Sequence, residues 1–292
     1  MKDRNFQTKA VREGHHATDE QEHSEAIFLT SSYRFKSAEQ AADRFENKQK
    51  GNVYSRFTNP TVDAFQNKLA ALEGAEKCQA TASGMSAIFA TIMTLLKPGE
   101  HMVASRCMFG TTIVLLNSII EKLDIQITFV DLGDLDGWKK SVQKNTKLFL
   151  LETPSNPLGE VVDIEKLAAI SKKNNIVLAV DNCVMTPALQ KPLTLGADLV
   201  IHSATKYIDG QGRCLAGAVA GNSSLIDEIS SFTRSTGPTL SAFNAWVVLK
   251  GLETLKIRME AHCKSAKKLA IWLSDQKFIK KVHYIGLESH PH

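Results

Sequence analysis

Residues 176–207, IVLAVDNCVMTPALQKPLTLGADLVIHSATKY, decide the fold. The stretch starts on the apolar run IVLAV and ends on LVI and then HSATK, with a helical connection between them. A strand with one wet face alternates apolar and polar residues, so an unbroken apolar run marks a strand covered on both faces. Two such strands joined by a helix form a parallel unit, and helices then cover both faces of the sheet. The polar residues gather where each run stops: Asp181 after the first, and Ser203, Thr205 and Lys206 after the second. Ligands of such sheets bind at the carboxyl ends of the strands.

Upstream the alternation continues. KLFLLE (147–152) is a strand that delivers Glu152 and then Asn156 to the same rim, IEKLAAISKKNN (164–175) a helix, and QITFVD (126–131) and HMVAS (101–105) further strands. Helices are expected over 110–122 and 134–143, and ATASGMSAIFATIMTLL (80–96) puts Ser83, Gly84 and Met85 at a helix start. Before residue 60 little periodicity persists, which implies an extended arm with one short helix near 37–48. Pro60 disfavours helix at Asn59, so YSRFTNPT (54–61) reads as a loop. A helix over 61–73 comes next, with Val62, Phe65, Leu69 and Leu72 at helical spacing. Residues 241–273 read as one long or kinked helix. The domain reading is an arm over 1–60, a large α/β domain over 61–250, and a third segment over 251–292 made of the long helix and the start of a C-terminal domain.

Composition narrows the partners. With 43% hydrophobic and 23% charged residues the chain is an ordinary globular protein, and a net charge of +4 without a basic stripe speaks against nucleic acid. The uncharged stretch 78–96 is too rich in Gln, Ser, Thr and Gly for a membrane span. Five cysteines without a C-x-x-C pair suit neither a disulfide framework nor a zinc site. The N-terminus carries both charges and is no signal peptide, so the expected location is the cytoplasm. His15-His16 and His290-Pro291-His292 read as solvated residues rather than metal ligands.

One ligand needs everything gathered at the rim. The helix start at Ser83-Gly84-Met85 offers backbone N–H groups to an anion, Asp181 offers a carboxylate, and Lys206 an amine. Alone, each has a plainer reading: a solvated edge lysine, a turn aspartate, an ordinary N-cap. Together they suit pyridoxal 5′-phosphate, with its phosphate, its basic ring nitrogen and its aldehyde. A lysine amine is nucleophilic only when unprotonated, so Lys206 is expected to be sheltered from water. GQGRCLAG (210–217) comes after no predicted strand and opens no clear helix, which weakens a dinucleotide reading.

The pieces VYSRFTNPT, ATASGMSAI, ETPSNP, VDN and SATKY-x-DG are similar to those of the Cys/Met-metabolism family of pyridoxal-phosphate enzymes, from about residue 5 onward. The resemblance implies the type I, aspartate aminotransferase-like fold, a mostly parallel sheet with helices on both faces. It implies that Lys206 holds the cofactor aldehyde and moves protons, that Asp181 pairs with the ring nitrogen, and that Gly84, Met85, Ser203 and Thr205 bind the phosphate. Phe109 would stack on the ring, and Asn156 would face its phenolic oxygen. Tyr54 and Arg56, on the arm, would reach the neighbouring subunit's cofactor, making a homo-oligomer built from active dimers. Within the family, EQEHSEAIFLTSSYRF (20–35) and KYIDGQGRCLAG (206–217) are most similar to the branch that joins O-succinylhomoserine and sulfide into homocysteine. Neighbouring branches use cysteine, an acetyl ester or methionine, and a cofactor-binding but inactive chain is the remaining alternative.

Two departures from the family pattern shape these expectations. Phe109 in CMFGTT (107–112) stands where many relatives carry tyrosine; it can stack but cannot transfer a proton. The family also continues into a small C-terminal domain carrying the arginine that clamps the substrate carboxylate. The chain ends at GLESHPH (286–292), so most of that domain is expected to be missing.

Overall fold

The computed structural model describes residues 4–46 and 48–290; Pro291 and His292 of the terminal His-Pro-His lie outside them. In chain order come α1 (Phe6–Arg12), α2 (Ala38–Phe45), α3 (Pro60–Glu73), β1 (Lys77–Thr81), α4 (Gly84–Leu95), β2 (His101–Ser105) and α5 (Gly110–Leu115). Next are β3 (Gln126–Val130), α6 (Leu135–Lys140), β4 (Thr146–Glu152), α7 (Ile164–Lys173), β5 (Val177–Asp181), α8 (Thr186–Leu189) and β6 (Leu199–Ser203). The last elements are β7 (Gly217–Gly221), α9 (Ser223–Thr236), α10 (Ala242–Glu253) and α11 (Leu255–Ser274). The residues form two compact units, one reaching to Ala90 and taking in Ser203–Glu253, the other Thr91–His202 with the residues from Thr254 on.

The second unit holds the parallel strands. β2 pairs with β3 and β4, β4 with β5, and β5 with β6, all parallel. Side chains alternate between faces along a strand, and here both sets are buried. Phe149, Leu151, Leu178 and Val180 pack with Trp138, Ile164 and Leu167 in one cluster, while Leu148, Leu150 and Ala179 are equally buried. This is why the runs read as continuously apolar. At the opposite strand ends His101 is pinned between the Thr146 and Thr128 hydroxyls at 2.7 and 2.9 Å, which ties three neighbouring strands together.

The first unit contains what the sequence reading lacked. β1 and β7 pair antiparallel, Lys77 opposite Gly221 through Thr81 opposite Gly217. β1, KCQAT, is short and carries two long polar residues, and β7, GAVAG, is made of small ones, so neither shows a hydrophobic period. α3 and α9 pack on this pair. α3 starts at Pro60 because Asn59 caps it, accepting from Thr61 N–H at 3.0 Å.

Other differences have local causes. The arm carries a second helix, α1, capped by Asn5, which accepts from Thr8 N–H at 2.9 Å; Ala10 on it is buried. The helix expected over 110–122 passes from α5 into a π turn (Leu116–Ile120) and a 3₁₀ turn (Glu121–Leu123), ending at left-handed Asp124. The long helix breaks at Thr254 into α10 and α11. His15, expected in solvent, is half-buried with Nε2 3.2 Å from the Glu22 carbonyl.

Candidate active site

In the first unit Ser83 turns the chain from β1 into α4. Its Oγ accepts from Ser86 N–H at 3.1 Å, and its carbonyl accepts from the Thr81 hydroxyl at 2.9 Å. Gly84 then lies against the end of β6: a Cβ there would stand 2.7 Å from the Ser203 Cβ. Only glycine permits that approach, which brings Gly84 and Ser203 side by side. Thr205 is more committed than its sequence suggests. Its hydroxyl accepts from Ala216 N–H at 2.9 Å and its proton goes to the Ala216 carbonyl at 3.2 Å.

Lys206 corrects an expectation. β6 stops at Ser203, and Lys206 sits in the following turn with its side chain exposed. Its N–H bonds the Ser203 carbonyl at 3.1 Å and its own carbonyl accepts from Gly210 N–H at 2.8 Å. The turn sends Ala204, Ile208 and Asp209 inward, and Lys206 therefore outward. Its main chain is fixed while the amine stays free to swing. Asp209, unnoticed in the sequence, secures this turn. With no exposed surface, it accepts from Arg213 N–H at 2.7 Å and Arg213 Nε at 2.8 Å. Further along the same unit, Tyr54 is 40% exposed, and the Arg56 guanidinium lies 4.8 Å from the Phe57 ring while donating to the Arg234 carbonyl.

In the second unit Asp181 ends β5, half-buried, with Oδ1 accepting from Cys183 N–H at 3.0 Å. Burial pushes its carboxyl up; the Cys183 bonds and His202 pull the other way. Glu152, next to it in the ladder, is buried and pushed up to about 7 by burial and then by Asp181. Asn156 is exposed on a loop closed by Ser155 N–H to the Glu160 carbonyl at 2.8 Å. Phe109 heads α5 with its ring 46% exposed. His202, buried on β6 just past its apolar run, acts on Asp181 and was missed in the sequence, where a lone histidine at a strand end carries no distinguishing pattern.

Comparison with known proteins identifies the family and fold. The family described as Cys/Met metabolism PLP-dependent enzyme matches residues 7–292. A Pseudomonas aeruginosa protein named O-succinylhomoserine sulfhydrylase is 56% identical over 98% of this chain and 71% of its own length. A Fusobacterium nucleatum L-methionine gamma-lyase is 44% identical over 91% of this chain and 68% of its own. Among solved structures, metB from Corynebacterium glutamicum superposes with a TM-score of 0.94 at 34% identity, covering 99% of this chain and 74% of that one. A putative O-acetylhomoserine (thiol)-lyase from Campylobacter jejuni, also at 0.94 and 33% identical, covers 98% of this chain and 80% of its own, and carries a pyridoxyl-lysine monophosphate. The fold is therefore the type I fold of pyridoxal-phosphate enzymes, and the chain belongs to the Cys/Met-metabolism family of these enzymes.

Proposed function

We propose that this enzyme catalyses γ-replacement on O-succinylhomoserine, sulfide displacing succinate to give homocysteine. The C–O bond at the substrate γ-carbon breaks and a C–S bond forms in its place. The observation that carries the reading is the 56% identity, across nearly the whole chain, to a protein of that name, against 44% for a methionine lyase. The residues suit the cofactor. Burial holds the Asp181 carboxyl at the end of β5 above its usual range despite His202, and a protonated ring nitrogen would offset that. The Phe109 ring is open for stacking. Bound pyridoxal phosphate supplies an electron sink at the substrate α-carbon. In this reading Lys206 anchors the cofactor and then moves the proton at that carbon. Asp181 keeps the ring nitrogen protonated. Gly84, Met85 and Ser203 hold the phosphate, with Thr205 beside them, and Asn156 faces the phenolic oxygen. Phe109 has no hydroxyl, so proton transfer falls to Lys206. Five free cysteines support a reducing, cytoplasmic setting; among the described residues no helix is long and apolar enough to cross a membrane.

The test is an absorbance spectrum followed by borohydride reduction and peptide mapping, then product analysis with O-succinylhomoserine and sulfide. A visible band reduced onto Lys206, with homocysteine released, is the expected result. Cystathionine formed preferentially from cysteine, or methanethiol from methionine, would move the enzyme to a neighbouring branch. A yellow chain without turnover would leave it a cofactor-binding protein.

A further inference from the structure

At the carboxyl ends of β4 and β5 two acids are neighbours, Glu152 opposite Asp181 in the ladder. Adjacent strands run about 5 Å apart, and paired residues share a face. Glu152 is 5% exposed. Its Oε2 accepts the N–H of Phe109 at 2.7 Å, at the start of a helix whose cap residue makes no side-chain hydrogen bond of its own. The groups facing the acids are the Cys183 N–H and His202 of β6. At the end of β2, Arg106 is taken by Asp131 and Cys107 by Glu160. Two neighbouring carboxyls with so little compensation resist ionising together, and burial raises both. We propose that Glu152 is a positioning residue for cofactor binding: it holds Phe109 by the main chain and carries the proton that leaves Asp181 the single carboxylate at these strand ends. This rests on the reading of Phe109 and Asp181 as cofactor residues.

The test compares the full chain with Glu152→Gln, Glu152→Ala and Asp181→Asn. Glutamine keeps an acceptor for the Phe109 N–H but loses the titratable proton; alanine loses both. Titration of the cofactor-stripped proteins with pyridoxal phosphate should raise Kd about tenfold or more for Glu152→Ala, as for a lost buried hydrogen bond. Glu152→Gln should stay within about threefold of the parent. Urea midpoints across pH give the second readout. An acid whose folded pKa, about 7, exceeds its ordinary 4.5 loses stability as pH rises between the two. The parent should show that decline and Glu152→Gln a shallower one, because Asp63, Asp181 and Asp198, also raised by burial, still contribute. An unchanged Kd for Glu152→Ala, or the parent's pH slope in Glu152→Gln, overturns the proposal; if the alanine variant does not fold, the slope decides. Asp181→Asn should weaken binding. Parental affinity there removes the cofactor reading and this inference with it, whereas weakened Asp181→Asn beside unaffected Glu152→Ala overturns this inference alone.

Discussion

Lys68 has no exposed side-chain surface, a costly place for an ammonium unless it is paired. Its Nζ lies 3.2 Å from Glu25 and 3.6 Å from Glu253, and Lys250 completes the group at 2.5 and 2.9 Å from the same two acids. The network fastens Glu25 of the arm to α3 and α10. Burial alone would raise the Glu25 carboxyl, but the Lys250 hydrogen bond and both lysine charges outweigh it and hold the group at about 2. A depressed carboxyl stabilises the fold above its ordinary 4.5 and loses that contribution as pH falls toward about 2. Lys68→Met should therefore cost about 3 kcal/mol by urea unfolding at neutral pH, since it breaks a buried pair. The difference from the parent should narrow on acidification.

At the scale of elements, the turn after β6 is held from two sides. Asp209 and Arg213 knit it from within, and the Arg213 Nη2 also reaches the Val247 carbonyl of α10 at 3.4 Å. From α10, Gly251 packs against the turn's backbone: a Cβ there would lie 2.1 Å from the Ile208 carbonyl oxygen. Backbone cannot yield as a side-chain tip can, so helix and turn must separate to admit a methyl group. Gly251→Ala should destabilise by about 2 kcal/mol despite its better helix propensity. Because the displaced turn carries Lys206, pyridoxal phosphate binding should weaken in the same variant, measured by titration beside the urea curve.

At the scale of the whole molecule, the resemblance implies sites completed by a second copy of the chain. Tyr54 and Arg56 are the residues assigned to the neighbouring subunit, and a two-fold dimer would exchange them reciprocally. Arg56→Ala and Lys206→Ala should each abolish turnover alone. Co-expressed in equal amounts, they should recover about a quarter of the sites, because half the dimers are hybrids with one intact site of two. No recovery, with hybrids demonstrated by mass, would place both residues in the same subunit's site. Light scattering should meanwhile give a homo-oligomer.

The sequence by itself determined the parallel strands and their polar carboxyl ends. Burial on both faces demands unbroken apolar runs, and such runs are visible without coordinates; Asp181, Ser203 and Lys206 stand out among the polar residues just beyond them. The caps were legible too, since Asn59-Pro60 states where α3 must begin. β1 and β7 were not, because a short strand with two long polar residues, like one made of small residues, leaves no hydrophobic period. The pairing of Glu152 with Asp181 across the ladder was equally hidden, as was the knot of Asp209 and Arg213. The exposure of Lys206 was misread, since a strand's last apolar residue says where the strand stops but not which way the next turn faces. These features depend on which residues meet across strands and turns and on how much water reaches them. Register, close approach and desolvation arise only when distant segments come together, so only the tertiary structure decided them.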